Sequence, residues 1–342
     1  MKLRLIFALT IATYTAGCVT GGGGTQPGGT TPAAKAVDIA NINTMINKKD
    51  IYIGHFGVTF MTQDKSSSKS SSPMIRSSRN SDYAQAVLTA KLTGVPPSTL
   101  QAITDGAYKN LVKDLQAKGY NVKSYNELKQ QKGWAKVSPL ETPYSPIQID
   151  NFLSGKSRQS VSYAPTDMAL LYGPDMLNPY ALSVIASESN IPVLAVNHTI
   201  HFAYFDKEAD YEVDYSKFFS KNGGGTTQTL SASVSLGQGI QVTHGSGFLF
   251  MVDQGGTFSS NGHVKLKDPV VVLGAYGSNE DTTSTLMKGV NTFNSVAGLF
   301  SGKSSESKEI SINANPEYYQ YGAIKAITEA NSRLSNALPS QN

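Results

Sequence analysis

Five histidines and a single cysteine are the residues of this chain best suited to bind a metal or to act as nucleophiles. The closest pair, His198 and His201, lies in a stretch of β-branched and aromatic residues that predicts a strand. Because residues three apart on a strand point to opposite faces, this pair does not converge on one ion. The chain also lacks an HExxH motif, and we predict structural histidines and no metal site.

Three further patterns resemble catalytic or phosphate-binding motifs but have the wrong spacing. In Thr243–Gly247 a serine lies between glycines beside a histidine, yet the offsets differ from the GxSxG nucleophile elbow, and a tight turn between strands is predicted. The triplets Gly155–Ser157 and Gly302–Ser304 lack the first glycine of a phosphate-binding loop. We therefore predict no catalytic residue and no cofactor, and we do not expect an enzyme.

An acidic stretch, residues 206–214, carries a carboxylate at every second position. On an extended segment these side chains would share one face, as in a weak Ca²⁺-binding surface. Because tyrosines and a valine are interleaved with them, the pattern favours the solvated, charged face of an edge strand.

The charge balance limits the classes of partner. The chain has 29 basic and 25 acidic residues, a formal charge of +4, which is too near neutrality for the basic stripe that nucleic-acid binding requires. We therefore expect no nucleic-acid partner. Hydrophobic residues make up 39% of the chain, enough for a folded core, and a lone cysteine excludes a disulfide framework.

The one cysteine ends a segment with the features of a secretion signal. Lys2 and Arg4 precede the apolar run Leu5–Thr13, which is too short to span a bilayer as a mature helix. The run Thr15–Cys18 resembles the lipobox of bacterial lipoprotein precursors, with threonine where that family usually has leucine. The resemblance implies that residues 1–17 are removed and that Cys18 carries a thioether-linked diacylglycerol and a further acyl chain such as palmitate.

The residues that follow Cys18 fit a lipid anchor. Gly21–Pro32 is rich in Gly, Thr and Pro and is typical of a flexible tether, so we assign residues 18–36 to the lipidated cysteine and its spacer. Val19 is not aspartate, which in enteric-type lipoproteins implies sorting to the outer membrane. An ordinary cleaved signal peptide with an incidental cysteine is the alternative.

The remaining chain predicts a mixed α+β fold in two parts. Residues 37–160 are predicted to form an α/β domain with a strand–helix–strand unit, and residues 161–342 a β-rich half with a C-terminal helix. The predicted elements are a strand at Ile51–Phe60, a mobile loop at Ser66–Ser81, a strand at Tyr83–Leu92, a helix capped by Ser98 or Thr99 and closed by Lys118–Gly119, a helix at Thr283–Phe300 and a helix at Glu317–Leu338 opened by Pro316.

Part of this pattern resembles a known group of envelope proteins. Leu111–Leu115 followed by Lys118–Val122, downstream of a strand, is similar to the α/β domain of the curli-secretion lipoprotein and of the TolB amino-terminal domain. The similarity covers about Ile51–Leu128. It implies a packing pattern and no catalytic residue.

The same resemblance raises two possibilities for Thr226–Val252. The segment alternates apolar residues with serines, as a strand of a ring-shaped membrane pore would. Its apolar face is small, however, and no aromatic girdle is present at Gln228, so we predict a soluble hairpin that covers the domain's own core.

Taken together, these features predict an envelope lipoprotein held on the outer membrane by the Cys18 lipid. We expect a structural or assembly role, such as a part in a secretion or surface-appendage complex, with other envelope proteins or further copies of the chain as partners. A periplasmic hydrolase or a ligand-binding lipoprotein with an unrecognised site is the alternative.

Overall fold

A computed structural model describes residues 36–71, 83–146, 158–171, 180–214, 227–253, 260–273, 295–300 and 303–341. The fold is mixed α/β and is built on one large mixed sheet. The strands are β1 Val37–Ala40, β2 Asp50–Ser71, β3 Tyr83–Thr93, β4 Asn121–Val122, β5 Gln159–Tyr163, β6 Val193–Asp214, β7 Thr227–Val242, β8 Gly247–Val252, β9 Ser260–Leu266, β10 Val270–Leu273, β11 Ser295–Phe300 and β12 Lys303–Asn313. The helices are α1 Pro97–Ala117, α2 Tyr125–Lys129, α3 Tyr180–Ser189 and α4 Pro316–Asn336, with short 3-10 helices at Ile42–Met45 and Lys132–Lys136.

The sheet has the order β1–β9–β8–β6–β2–β3–β12, so strands from both halves of the chain lie side by side. At its centre β2 and β6 pair in parallel, from Tyr52 with Val193 to Phe60 with Ile200. These segments are mostly apolar and almost entirely buried, as expected for parallel strands that helices cover on both faces. One face packs against α1 and α4, and the other packs against α3.

Helix α1 shows how the sequence specifies this packing. Its buried side chains recur at the helical spacing predicted from the sequence, and they join the core beneath the sheet. Gly119 ends the helix with φ 87°, and the following Tyr120 N–H donates to the Leu115 carbonyl. The start differs from the prediction, because Pro96 is the N-cap and Pro97 begins the helix, with no side-chain cap from Ser98 or Thr99.

The C-terminal helix α4 is confirmed and lies against α1. Pro316 occupies its first turn, and the Asn315 side chain accepts hydrogen bonds from the backbone N–H groups of Glu317 and Tyr318. Between the helices, Asn110 Nδ2 donates to Thr328 Oγ1 at 2.7 Å.

Two long hairpins extend beyond the central sheet. After Phe60, β2 leaves β6 and pairs with β3 over Gln63–Ser71, which forms the first hairpin. After Ile200, β6 continues with β7 as far as Asp214, which forms the second hairpin. Strand β12 pairs with β3 in parallel, and β10 and β11 pair with β7.

The first hairpin corrects the predicted mobile loop at Ser66–Ser81. Residues 66–71 belong to β2, with Ser66, Ser68 and Ser70 buried, and residues 72–82 lie outside the described chain. The burial has a simple steric reason. Ser68 and Ser70 lie opposite Ala86 and Ala84 of β3, so the inward positions of both strands carry small side chains there.

A second correction concerns the helix predicted at Thr283–Phe300. Ser295–Phe300 is instead strand β11, antiparallel to β7, and residues 283–294 lie outside the described chain. Backbone pairing with β7 outweighs the helical spacing of the apolar residues in this short segment.

Candidate functional site at the base of the hairpins

Three charged or polar side chains meet where both hairpins leave the central sheet. Asp64 of β2 is almost completely buried and accepts a hydrogen bond from Arg158 Nε at 2.8 Å. Its other carboxylate oxygen lies 3.1 Å from His201 Nδ1 of β6. The backbone N–H of Lys65 also donates to Asp64, at 2.8 Å. We call Asp64, Arg158 and His201 the junction cluster.

The backbone brings these residues together through irregularities in both long strands. The pairing of β2 with β5 shifts register between Met61 and Gln63, and the pairing of β6 with β7 shifts between His201 and Ala203. Such shifts bend strands and redirect side chains. The junction cluster therefore lies at the point where β2 and β6 separate into two hairpins.

The electrostatics of the junction cluster favour an ionised carboxylate. Burial alone raises the pKa of Asp64, but the hydrogen bond and charge of His201, the charge of Arg158 and the Lys65 N–H outweigh it. The pKa of Asp64 consequently lies below its usual value. A buried carboxylate with three donors fixes strand positions, because moving any partner leaves part of its charge unsatisfied.

His55 is buried on β2 and forms a structural bridge. Its Nε2 donates to Asn197 Oδ1 at 3.0 Å, and its Nδ1 accepts from the Leu171 backbone N–H at 3.2 Å. Burial lowers the pKa of His55 to about 4, and the hydrogen bond that its ring donates to Asn197 only partly opposes the shift. The imidazole is therefore neutral at physiological pH.

His198 lies on the opposite side of β6 from His201, as the sequence predicts. Its Nε2 donates to Asn331 Oδ1 of α4 at 2.9 Å, and Asn331 Nδ2 donates to the Ala107 carbonyl of α1 at 3.0 Å. Burial lowers the pKa of His198 to about 4. This histidine therefore links the sheet to both helices and does not contribute to the junction cluster.

The other candidate residues have separate positions. His263 contacts Asp38 on the exposed β1–β9 pair at 3.1 Å. His244 and Gly245 form the predicted turn, with φ 81° at Gly245, and Ser246 Oγ accepts from the Thr199 N–H. The serine thus has a structural partner.

Several predicted features fall outside the described chain. They include Cys18 with its tether, the triplet at 155–157 and Gly302 of the second triplet. For the acidic stretch at 206–214 the structure describes the backbone, which lies in β6 paired with β7. Within the described ranges, no group of three or more His, Cys, Asp or Glu side chains is placed to hold a metal ion.

The alternating apolar residues of β7 lie in the main core. Leu230, Ala232, Val234 and Leu236 are each almost fully buried in the same cluster as the inward side chains of β3. Among the residues that the structure describes, no helix is long and apolar enough to cross a membrane.

Comparison with known proteins gives no relative for this chain. No family model matches it, and searches of curated proteins and of solved structures find no significant match.

Asp64 and Arg158 are not among the residues predicted from the sequence. The alternation of buried positions from Asp64 through Ser66, Ser68 and Ser70 is not visible in the residue types, because Ser67 is also a serine and the whole stretch is polar. The serine-rich composition suggested a loop instead, and a single carboxylate beside a predicted loop gives no indication of a buried partner.

Proposed function

We propose that this protein is an envelope lipoprotein of the outer membrane with a structural or assembly role. The observation that carries the proposal is the lipobox-like run Thr15–Cys18, which follows a short apolar signal and precedes the tether Gly21–Pro32. The lipid on Cys18 attaches the chain to the membrane. Other envelope proteins or further copies of the chain, as in a secretion or surface-appendage complex, are the proposed partners.

The architecture supports an assembly role in two ways. The amino-terminal strand–helix–strand unit and the β-rich remainder share one sheet, which forms a common base. Two long hairpins project from this base, and the junction cluster fixes their positions. Rigidly held projections suit contacts with large partners.

The lipid anchor is tested by replacing Cys18. Because the thioether requires the thiol, Cys18→Ser should abolish incorporation of labelled palmitate and leave an unprocessed or soluble chain. Thr15→Leu, which introduces the usual lipobox residue, is the matched control and should keep the label. Palmitate incorporation into Cys18→Ser would contradict the proposal.

The destination is tested at the next residue. Val19→Asp should keep the lipid but move the protein from the outer-membrane to the inner-membrane fraction of an enteric-type host. Val19→Ala should leave the distribution unchanged. An unaltered distribution of Val19→Asp would contradict sorting to the outer membrane by this signal.

A ligand-binding lipoprotein is a second candidate, favoured by one groove. It has a volume of about 510 Å³ and lies between β10 and α4, lined by Leu273, Tyr318, Tyr321 and Lys325 among others. Tyr321 and Leu273 are 71% and 61% exposed, which is unusual for large apolar side chains. A thermal-shift screen of aromatic and aliphatic ligands tests it, because Tyr321→Ala should remove any shift that such a ligand causes.

A further inference from the structure

The outer face of the first hairpin is basic. On β2 the residues Lys65, Ser67 and Lys69 point away from the core, and on β3 the outward positions include Tyr83 and Lys91. The alternate residues of both strands are buried. We call the set Lys65, Ser67, Lys69, Tyr83 and Lys91 the basic face.

The charge on this face is nearly all of one sign. Lys65, Lys69 and Lys91 supply three positive charges along the two strands, and Lys69 Nζ lies 4.5 Å from the centre of the Tyr83 ring. The neighbouring strand β12 adds one exposed carboxylate, Glu309, in register with Thr89. The other outward positions of β2 and β3 in this register carry hydroxyls, amides and Val87, of which only 9% is exposed, so the exposed charge of these two strands complements an anionic partner.

The described chain begins at the hairpin end of the sheet. The Ala36 carbonyl accepts from the Lys267 N–H, just beyond the pairing of Val37 with Leu266. Strand β9 pairs with β8, and β8 pairs with β6. Followed across these pairs, Ala36 lies at the same height along the strands as Asn197–Thr199 of β6. His201 and the second hairpin follow directly on that strand.

The tether has the length to bring the hairpins to the membrane. Seventeen residues separate Cys18 from Ala36. For the flexible tether that the composition of Gly21–Pro32 predicts, this length gives an average end-to-end distance of about 23 Å and a maximum of roughly 60 Å. The first hairpin extends about 30 Å from Gln63 to Ser71 at the usual rise per residue. A lipid on Cys18 therefore holds the hairpin end within reach of the headgroups.

We propose that the basic face binds the anionic lipid headgroups of the membrane in which Cys18 is anchored. This inference rests on the proposed function, because the lipid supplies the proximity. The lysines contact headgroup phosphates, and the Tyr83 ring lies at the interface, where aromatic residues are favoured. The hairpin then lies on the membrane surface and orients the domain relative to it.

The experiment uses the full lipidated chain reconstituted into vesicles. The substitution Ser67→Cys places a fluorophore on the basic face, since the Cys18 sulfur is already in a thioether, and Lys49→Cys places one at the opposite end, before β2. The vesicles contain phosphatidylcholine alone or mixed with phosphatidylglycerol. Quenching by a nitroxide on the headgroup reports surface contact, and quenching by a nitroxide on the acyl chain reports insertion.

In the anionic vesicles we expect the headgroup nitroxide to quench the fluorophore at position 67 and to quench the fluorophore at position 49 only a little. High salt should abolish the quenching at position 67. Each lysine at an anionic surface strengthens association by about fivefold. The variant with Lys65→Gln, Lys69→Gln and Lys91→Gln should therefore lower the contacting population at least about tenfold. The matched control, Lys49→Gln with Lys129→Gln and Lys132→Gln, removes equal charge from exposed positions near the start of β2 and should have no effect.

Three results would overturn the inference. One is equal quenching with and without anionic lipid, and a second is no loss in the basic-face variant. The third is acyl-chain quenching at position 67, which would mean that the hairpin enters the membrane. Flotation with the vesicles reports the anchor separately. A chain that does not float overturns the proposed function and this inference together, whereas flotation without headgroup contact overturns the inference alone.

Discussion

At the scale of single residues, Asp64 is the strongest test of the junction cluster. Asp64→Asn keeps the shape of the side chain but gives Arg158 and His201 a weaker acceptor. We expect a loss of about 1–3 kcal/mol in the free energy of unfolding, measured by urea denaturation at neutral pH. Asp38→Asn is the matched control, because Asp38 pairs with His263 in an exposed position where solvent screens the pair, and its loss should be much smaller. Equal losses would contradict a special role for the junction.

The buried histidines predict a dependence of stability on pH. His55 and His198 have folded-state pKa values of about 4, against 6.5 in an unfolded chain, so the unfolded state binds more protons between these values. The contribution of these two neutral histidines to the free energy of unfolding is complete above pH 6.5 and is lost as the pH falls toward 4. Denaturation curves should show a loss of about 2 kcal/mol for each histidine between pH 6.5 and about pH 5.

Variants of single histidines test the origin of this pH dependence. His198→Gln retains a donor toward Asn331 but cannot be protonated, and it should flatten the pH dependence by about half. His244→Gln, at an exposed turn, should leave the slope unchanged. An unaltered slope in His198→Gln would show that another group titrates.

At the scale of elements, the serine-rich part of β2 gives a test of strand geometry. Ser66 is buried and Ser67 is exposed, although the two are neighbours in a serine-rich stretch. Ser66→Phe should destabilise the protein by about 1–3 kcal/mol because the ring has no space in the core. Ser67→Phe should change the unfolding midpoint little. Similar effects from both substitutions would restore the original prediction of a loop.

At the scale of the whole molecule, the buried face of β7 predicts how the chain behaves without its lipid. A chain that lacks residues 1–32 should purify without detergent as a monodisperse species, because Leu230, Val234 and Leu236 already pack in the protein's own core. Size-exclusion chromatography with light scattering measures this. Aggregation that detergent reverses, together with ion conduction in planar bilayers, would instead favour the membrane pore.

Features that depend on neighbouring residues in the chain could be predicted from the sequence. The apolar spacing of α1, its end at Gly119 and the start of α4 at Pro316 were predictable, because helical periodicity and terminal signals are local. The separation of His198 from His201 onto opposite faces follows in the same way from the period of a strand.

The surroundings of Asp64 and of the serines that follow it depend on contacts between distant segments of the folded chain. Residues 66–71 form a strand because β3 supplies hydrogen bonds and the small side chains Ala84 and Ala86 opposite them. Arg158 and His201 reach Asp64 from positions 94 and 137 residues away in the chain. Sequence periodicity carries no information about contacts at such separations, since the energy that fixes them comes from burial and pairing between distant segments.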